Sequence, residues 1–245
     1  MGELFKWPDY LDEFEAAALR QGFRSEILLD TQDGPLMAWE RDGNGPLIYA
    51  SAGIHGDEPA GPLALLELMR LGSFPSCNHW SICPALNPSG LAIGRRENRD
   101  WVDLNRDYLQ QSSAEIAAHA RWLKRDRIPD VFISMHEDWE TEGFYFYEIN
   151  LLEDQPQRAA GILEEVAGIF PAESGNEIDG HEPRAPGWIY HGAEADLPDA
   201  WPEAIYLAKL GCPLSFTFET PSRSDLSKRV AAHVSAFQRS LRLIG

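Results

Sequence analysis

The sequence predicts an α/β protein with a central mixed sheet, part parallel and part antiparallel, covered by helices on both faces. Two patterns indicate this class. Apolar runs of strand length alternate along the chain with segments of helical periodicity, as in sheets that are covered by helices. Near the start, two strand-like segments flank Gln32-Asp33-Gly34-Pro35, a turn signal that predicts an antiparallel hairpin.

In the first half of the chain, apolar periodicity and turn residues separate helices from strands. Apolar side chains of the first helical segment fall largely on one face, and Gly22 follows it, as Gly72 follows the second. Pro84 indicates that its strand ends there or lies at a sheet edge. The predicted elements are a helix over 8–21, strands over 25–31, 36–41 and 46–52, a helix over 62–71 and a strand over 80–86.

The second half contains two long irregular segments. The first, over 87–108, is rich in polar and charged residues, and a loop that long in a compact domain is usually functional or disordered. The second, over 171–198, is a predicted surface excursion. The other predicted elements are a helix over 114–125, strands over 130–135 and 143–149, helices over 157–170 and 199–210, a strand over 214–218 and an amphipathic helix over 224–243.

Length and charge limit the function classes. With 245 residues and 44% hydrophobic content, the chain is expected to form a single domain, 1–245, with a substantial core. A net charge of −18 argues against nucleic acid or an acidic membrane face as a partner. No apolar run approaches membrane-spanning length, and residues 1–10 lack the basic start and apolar run of a secretion signal. We therefore expect a cytoplasmic protein.

The cysteines support the same expectation. Cys77, Cys83 and Cys212 show no CxxC spacing, which predicts neither a disulfide framework nor a thiolate zinc site. They are expected to be buried, reduced thiols of a cytosolic protein.

The stretch that follows the third predicted strand carries the strongest chemical signal. It contains His55 and Glu58, and a histidine nitrogen and a carboxylate oxygen three residues apart on a tight turn can bind one Zn²⁺ together. Gly53 and Gly56 suit such a turn, because glycine adopts backbone angles that other residues avoid.

Two later residues would complete a site. His136 follows a buried strand and would complete a ligand set of two histidines and one carboxylate, with the fourth position of the Zn²⁺ open to water. Glu219 also follows a predicted strand, where a carboxylate can take a proton from metal-bound water and pass it to a leaving amine. Taken singly, His136 is better explained as a hydrogen-bonded histidine at a strand end, and Glu219 is as readily explained as a solvated acid. Together with His55 they lie at the carboxyl ends of strands, where ligands bind in such sheets.

Arginines crowd the irregular segment 87–108 of an otherwise acidic chain. Arginine holds carboxylates through two parallel hydrogen bonds, and an arginine near a metal can stabilise an oxyanion. The alternative is that these arginines pair with acids of the same segment. The arginines are Arg95, Arg96, Arg99 and Arg106, and the acids are Glu97, Asp100, Asp103 and Asp107.

Several blocks of sequence occur in the order and approximate spacing of a known family. The blocks are GIHGDE at 53–58, NPSG at 87–90, REN at 96–98, VDLNR at 102–106, His136, and FTFE at 216–219. This ordered set resembles the zinc carboxypeptidase family of carboxypeptidase A over most of the chain. The small size is more similar to the compact bacterial members, which include enzymes that trim cell-wall peptides. The related succinylglutamate desuccinylase and aspartoacylase group is similar as well.

The resemblance implies a phosphorylase/hydrolase-like fold, one zinc ion per chain and three groups of site residues. These groups are the zinc ligands, a catalytic pair for proton transfer and carbonyl polarisation, and a clamp for the terminal carboxylate of a substrate. The zinc ligands are His55, Glu58 and His136, and the catalytic pair is Glu219 and Arg96. The clamp consists of Asn105 and Arg106.

Two features depart from the family pattern. The digestive enzymes carry a mobile substrate-binding tyrosine upstream of the catalytic glutamate. Tyr190 and Tyr206 stand at the wrong spacing for it, so that role stays open. Asp107-Tyr108 replaces the commoner Asn-aromatic pair after the clamp, which could alter how Arg106 is held.

These observations predict a zinc-dependent metallocarboxypeptidase that hydrolyses a peptide bond next to a free carboxylate, with a small peptide or acyl amino acid as substrate. Two alternatives stay open: an N-acyl amino acid amidohydrolase similar to succinylglutamate desuccinylase and aspartoacylase, and a non-catalytic metal-binding module. The NPSG block and the position of Arg96, nine residues before Asn105, favour the peptidase. Retention of both Glu219 and Arg96 argues against a binding module, because a binder needs no proton carrier.

Two further sets of residues bear on the pocket rim. His181 and His191 in the excursion are interpreted as surface residues that could line that rim. A run of acids after His136 predicts an acidic rim and hints at basic or amine-bearing substrates. These acids are Glu137, Asp138, Glu140 and Glu142.

Overall fold

The computed structural model describes residues 6–125 and 127–244. The strands are β1 (Arg24–Thr31), β2 (Gly34–Arg41), β3 (Leu47–Ala52), β4 (His79–Cys83), β5 (Val131–Asp138), β6 (Tyr145–Asn150), β7 (Trp188–Tyr190) and β8 (Leu214–Pro221). They form one sheet in the order β1-β2-β4-β3-β5-β8-β6-β7. The centre, β4-β3-β5-β8, is parallel, whereas the β1–β2, β2–β4 and β6–β8 pairs are antiparallel. The predicted mixed α/β class is confirmed.

Helices cover both faces of this sheet, as predicted. They are α1 (Trp7–Arg20), α2 (Ala60–Leu71), α3 (Pro88–Ile93), α4 (Ala114–Leu123), α5 (Pro156–Val166), α6 (Glu203–Leu210) and α7 (Leu226–Ile244). On one face, α1, α2, α5 and α7 share a hydrophobic cluster with the sheet. On the other face, α4 and α6 share a second cluster with it. Among the described residues, no helix combines the length and apolarity needed to cross a membrane.

The core is continuous around the central strands β3 and β5, which carry candidate site residues at or just beyond their carboxyl ends. Ile48 and Ile133 are fully buried in the cluster beneath α2 and α7. Tyr49 and Phe132 are fully buried on the opposite face and stack with ring centroids 5.2 Å apart. Because both faces are covered, these strands read as nearly continuous apolar runs.

β5 and β8 extend further than the sequence predicts. The apolar run of β5 stops at Met135, but parallel pairing with β8 continues to Asp138 and Pro221. His136 and Glu219 therefore lie inside strands, near their carboxyl ends, and not directly after them. The physical reason is that hydrogen bonding to the neighbouring strand, rather than apolarity, sets where each strand ends.

Both segments predicted to be irregular contain regular structure. Segment 87–108 includes α3 and a 3₁₀ turn at Leu104–Arg106, and the excursion 171–198 includes β7. β4 lies inside the sheet, so Pro84 marks a strand end and not an edge. Elements this short carry too few residues for periodicity to reveal them.

The cysteines follow the sequence prediction with one exception. All three are free. Cys83 and Cys212 are buried as expected, but Cys77 is exposed. It lies in the turn before β4, where its carbonyl oxygen accepts the backbone N–H groups of Asn44 and Gly45 at 2.8 and 2.6 Å.

Candidate active site

The turn after β3 holds the first two candidate ligands, and its shape depends on two glycines. Gly53 has a φ of +64°, a left-handed conformation that strains residues with a side chain. A Cβ on Gly56 would lie 1.9 Å from the backbone carbonyl carbon of Gly90. Only glycine therefore lets the turn pack this closely against α3. His55 and Glu58, on either side of this contact, are both buried.

The NPSG block joins this turn to the arginine-bearing segment. The Asn87 side chain caps α3 by accepting the Gly90 N–H at 2.8 Å. Its amide nitrogen donates to the carbonyl oxygen of Ile54 at 3.2 Å and to that of Arg96 at 3.1 Å. The NPSG block, which supported the resemblance, thus connects two parts of the site by hydrogen bonds.

Three candidate ligands meet at the carboxyl ends of β3 and β5. Glu58 lies between two imidazoles: its Oε1 is 2.6 Å from His55 Nδ1, and its Oε2 is 3.1 Å from His136 Nδ1. One ligand atom from each residue lies within 4.8 Å of the other two, and the group could hold a metal ion. Two imidazole nitrogens and one carboxylate oxygen, buried on a cavity wall, form a donor set that suits zinc.

The charges of these three residues depend on one another. Burial by itself raises the pKa of Glu58, but the His55 and His136 imidazoles outweigh it and hold that pKa well below its usual value. Burial lowers the pKa of His136. Burial acts in the same direction on His55, but Glu58 and Asp103 outweigh it and raise the pKa of that imidazole. Glu58 is therefore an ionised carboxylate near neutral pH, the form in which it can bind a metal.

A cavity of about 500 Å³ opens beside this group. All seven residues to which the resemblance assigns a role line it together. They are His55, Glu58, Arg96, Asn105, Arg106, His136 and Glu219.

Arg96 lies directly beside the candidate ligands. Its Nη1 is 3.3 Å from His55 Nδ1 and 3.6 Å from Glu58 Oε1. Its Nε and Nη2 lie 3.1 and 3.0 Å from Asp103 Oδ2. Asp103 also lies 3.3 Å from His55 Nε2 and accepts the Asn105 N–H at 3.0 Å. One acid thus positions the arginine, one candidate ligand and the following turn.

The rest of the arginine cluster is partly structural. The alternative interpretation holds for Arg96, which pairs with Asp103 of the same segment, but the acid that pairs with Arg99 lies outside that segment. Arg99 pairs with Asp33 in the hairpin turn, with Nε and Nη2 donating to the carboxylate at 3.0 and 2.6 Å. Arg95 lies over an indole ring, 3.9 Å from its centroid. Of the described arginines, Arg96 and Arg106 line the cavity.

The 3₁₀ turn at Leu104–Arg106 presents Asn105 and Arg106 to the cavity. Asn105 Oδ1 accepts the backbone N–H of Glu203 at 3.0 Å, which fixes the side-chain amide against the start of α6. Arg106 Nη1 donates to the carbonyl oxygen of Asn105 at 3.0 Å. Both side chains are therefore oriented by contacts within the protein.

Glu219 lies next to His136, because the two are register partners on β5 and β8. Burial raises the pKa of Glu219 well above its usual value, and the charges of Glu58 and Asp138 raise it further. Within 6–125 and 127–244, the Glu219 carboxylate has no hydrogen-bond partner, and it lines the cavity. A carboxyl group that is desolvated but unpaired is suited to exchange a proton with a molecule in the cavity.

Comparison with known proteins identifies relatives of the site region. Residues 44–139 match the family described as Succinylglutamate desuccinylase/Aspartoacylase catalytic domain. Over 103 residues the chain is 31% identical to Murein peptide amidase A of Vibrio campbellii, and this match covers 42% of this chain and 41% of that protein. Over 69 residues it is 41% identical to Carboxypeptidase SOL1 of Arabidopsis thaliana, and this match covers 24% of this chain and 14% of that protein. The chain thus matches less than half the length of both relatives.

Solved structures share the fold over nearly the whole chain. A protein of Shewanella amazonensis described as a "putative metallopeptidase" superposes with a TM-score of 0.84 at 24% identity, covering 97% of this chain and 93% of that one. Bovine thrombin-activatable fibrinolysis inhibitor superposes with a TM-score of 0.69 at 14% identity, covering 99% of this chain and 97% of that one. At these identities the likeness shows the fold.

The ordered sequence blocks and these likenesses agree. The chain has a zinc carboxypeptidase-like fold, and its residues 44–139 are similar to the catalytic domain of the desuccinylase and aspartoacylase family. The family match over 44–139 contains His55, Glu58 and His136 but ends before Glu219. The proposed proton carrier is thus located by the fold and by its register with His136.

Two tyrosines that line the cavity were missed from the sequence. Tyr145 and Tyr147 on β6 line the cavity, whereas neither Tyr190 nor Tyr206 is among the described residues that do. Alternate side chains of a strand share a face, and the aromatic run at 143–149 carries that signal. That the shared face is a cavity wall follows from β6 lying beside β8, which no local pattern predicts.

Glu203, at the start of α6, is a second residue that the sequence analysis missed. It lines the cavity, yet it is buried, and its carboxylate accepts the Tyr49 and Ser51 hydroxyl groups, both at 2.7 Å. Burial raises the pKa of Glu203 to about 7, and these hydrogen bonds partly oppose the effect. A buried acid that can change charge near neutral pH therefore forms part of the cavity wall.

The rim of the cavity carries fewer free acids than the sequence suggested. Glu137 is buried, accepts the Ala60 N–H at 2.7 Å and pairs with Arg229, so it ties α2 and α7 to β5. Burial raises the pKa of Glu137 to about 7. Asp138 accepts the Tyr145 hydroxyl at 3.1 Å. Two of the four acids in the run are therefore engaged within the protein.

Proposed function

We propose that this chain is a zinc-dependent metallocarboxypeptidase, which hydrolyses the peptide bond next to a free carboxylate. One observation carries the proposal: a metal-ligand set, an unpaired acid and two guanidinium groups line the same cavity. Each of these groups has an ordinary structural explanation by itself. Their convergence from distant parts of the chain supports a hydrolytic site.

His55, Glu58 and His136 would hold the zinc ion, one per chain. When bound in such a site, zinc supplies Lewis-acid activation of a water molecule. The buried carboxylate and the two Nδ1 atoms that face it support this assignment. The contact between Asp103 and His55 Nε2 supports it further, because an acid at the outer nitrogen of a ligating histidine fixes its ring and tautomer.

Glu219 would accept a proton from the attacking water and deliver it to the leaving amine. A group that does both needs a pKa close to the working pH. Burial and the nearby Glu58 charge raise the pKa of Glu219 from its usual acidic range, which helps it act as an acid in the second step. Its register with His136 holds it beside the ligand set.

Arg96, Asn105 and Arg106 would bind the substrate. The Arg96 guanidinium lies within 3.6 Å of Glu58 and can stabilise negative charge that develops on the carbonyl oxygen. Asn105 and Arg106 can hold a terminal carboxylate by charge-assisted hydrogen bonds. The backbone contacts that orient both side chains support a clamp that is formed before substrate binds.

A second candidate function is the hydrolysis of N-acyl amino acids. The match of 44–139 to the desuccinylase and aspartoacylase family favours it. Such a substrate also carries a carboxylate next to an amide, so the same residues could serve both reactions. The match to a peptide amidase and the NPSG block favour the peptidase.

The proposal extends to partners and location. The substrate would be a small peptide or an acyl amino acid, and nucleic acid and membrane faces are disfavoured by the net charge of −18. The three free cysteines support a reducing, cytoplasmic location.

A matched substrate panel tests the proposal. The purified chain, loaded with one equivalent of zinc, is assayed on peptides with a free C-terminal carboxylate, the same peptides as C-terminal amides, and N-acetyl and N-succinyl amino acids. We expect release of the terminal residue from the free peptides and little from the amides. Turnover of acyl amino acids alone would support the second candidate. Stable zinc binding without turnover of any substrate would contradict both and favour a binding module.

A further inference from the structure

A second group of metal-binding side chains lies in the excursion beyond β6. His181, His191 and Asp196, which we name the rim cluster, each offer a ligand atom within 4.8 Å of the other two. His191 and Asp196 also line the cavity. The cluster shares no residue with the set formed by His55, Glu58 and His136.

The spacing within the rim cluster suits a shared ion. His181 Nε2 lies 3.4 Å from Asp196 Oδ2, and His191 Nε2 lies 3.3 Å from Asp196 Oδ1. Two ligands about 2.1 Å from a tetrahedral zinc ion stand roughly 3.4 Å apart. Direct hydrogen bonds between a charged imidazole and a carboxylate are shorter, about 2.7–2.9 Å. Both nitrogen–oxygen distances therefore match the distance between two ligands of one metal ion better than the distance within a hydrogen-bonded ion pair.

The orientation of the His191 ring agrees with metal binding. Its Nδ1 is 2.5 Å from the carbonyl oxygen of Gly192 and can only donate to it, so Nδ1 carries the proton. In the neutral ring, Nε2 then keeps its lone pair for a metal, the usual arrangement at metal sites. That Nε2 is the atom that faces Asp196.

Both histidines are held in place by the backbone and by one aromatic ring. His181 exchanges two backbone hydrogen bonds with Ile178, each 2.9 Å, and the His191 N–H donates to the Glu148 carbonyl oxygen at 2.9 Å. The Tyr147 ring packs against both imidazoles, with centroids 5.4 and 5.9 Å apart. The two rings therefore converge without help from Asp196, which is the preorganisation that a metal site needs.

Ion pairing alone accounts poorly for this arrangement. The Asp196 side chain is 63% exposed, whereas those of His181 and His191 are 23% and 14% exposed. An exposed ion pair contributes little to stability. It would also give no reason for two imidazoles to meet with ring centroids 5.0 Å apart.

We propose that the rim cluster binds a second divalent transition-metal ion of the zinc class through Nε2 of His181, Nε2 of His191 and the carboxylate of Asp196. The ion joins two parts of the excursion beside the cavity wall formed by Tyr147. This site is independent of the proposed hydrolytic function. Its expected consequences are a second zinc ion per chain and a metal-dependent ordering of the excursion.

The test measures metal stoichiometry on the untagged full chain. The protein is stripped of metal and titrated with zinc, and bound metal is measured by elemental analysis after buffer exchange. We expect two zinc ions for the wild type and one for His191→Ala and for Asp196→Asn. Asp199→Asn, a nearby exposed acid outside the cluster, is the matched control and is expected to keep two.

A variant of the other site isolates the rim cluster. His136→Ala is expected to keep one zinc ion, and His136→Ala combined with His191→Ala to keep none. Cobalt substituted into His136→Ala should give visible absorption that disappears on adding His191→Ala. Zinc should slow proteolysis within the excursion, 171–198, only when the rim cluster is intact. An unchanged zinc count in His191→Ala relative to the wild type, whether that count is one or two, would overturn the proposal. If the rim cluster binds its zinc ion but the protein has no hydrolytic activity, the result supports the second metal site and contradicts only the proposed function.

Discussion

His136 and Glu219 are register partners on adjacent parallel strands, so the backbone holds a candidate metal ligand and a candidate proton carrier side by side. Neither side chain is needed to maintain this relationship, because the hydrogen bonds between β5 and β8 maintain it. Substitution of one residue should therefore leave the other in place. Zinc binding and proton transfer can be tested separately for this reason.

Glu219→Gln should abolish most activity without affecting zinc binding. Gln has nearly the same shape but cannot accept a proton from water, and loss of a general base costs roughly 10²–10⁴-fold in rate. Activity on the best peptide and zinc content are measured on the same preparation. Glu140→Gln, an exposed acid on the same rim, is the control and should retain activity. A loss below roughly a hundredfold in Glu219→Gln, with zinc bound, would refute the assignment.

Arg106→Gln should weaken the selection of substrates with a free terminal carboxylate. Losing a charge-assisted hydrogen bond costs about 1.5–3 kcal/mol, or roughly 10–100-fold in kcat/KM for free peptides. The same peptides as C-terminal amides should be affected little. Arg99→Gln is the matched control, because Arg99 belongs to the same segment but pairs with Asp33. Equal losses on free and amidated peptides would show that Arg106 is not a carboxylate clamp.

Gly56→Ala should destabilise the ligand-bearing turn. The new Cβ would lie 1.9 Å from the backbone of Gly90, and backbone cannot move aside as a flexible side chain can. We expect a loss of about 3 kcal/mol in the free energy of unfolding, together with weaker zinc binding. Gly168→Ala is the control, because nothing lies within 4 Å of its Cβ, and it should change stability by less than about 1 kcal/mol. Wild-type stability and zinc affinity in Gly56→Ala would contradict the packing described for this turn.

The buried acid Glu203 should make stability fall as pH rises from about 4.5 to about 7. Its pKa is raised from an ordinary 4.5 to about 7 in the folded protein, so between these values the folded state binds more protons than the unfolded state. The free energy of unfolding therefore decreases as pH rises through this window, by up to about 3 kcal/mol for this group. Glu203→Gln removes this contribution and should make the dependence shallower, and the remaining slope includes the contribution of Glu137, whose pKa is also raised to about 7.

Chemical denaturation at several pH values measures this effect. Glu182→Gln, an exposed acid of the excursion, is the control and should keep the wild-type slope between pH 4.5 and 7. If Glu203→Gln and the wild type lose stability in parallel over that range, then Glu203 is not the group that titrates.

Much of the site could be predicted before the structure, because each candidate residue belongs to a short block that either follows a predicted strand or lies in the polar segment 87–108. The turn with His55 and Glu58 follows directly from its glycines and from the apolar strand before it. Glu203 could not be predicted in this way. Its burial and its bonds to Tyr49 and Ser51 join residues more than 150 positions apart, and such contacts leave no pattern in either stretch.

For the fold too, local patterns could be predicted from the sequence, whereas features set by contacts with other parts of the chain could not. Periodicity predicted nearly all of the longer helices and strands, and their ends differ by a few residues because caps and neighbouring strands set them. The short elements α3 and β7 were missed, since one or two turns of helix or three residues of strand carry little periodicity.

The sequence by itself determined the alternation of strands and helices and the residue types that could bind a metal, because periodicity and short blocks are local properties of the chain. Only the tertiary structure decided that Tyr145 lies beside Glu219 and that His181 meets His191. These meetings depend on the sheet order β5-β8-β6-β7, which arises from packing between segments that are distant in sequence. Packing of that kind is a property of the folded chain as a whole and of no single stretch.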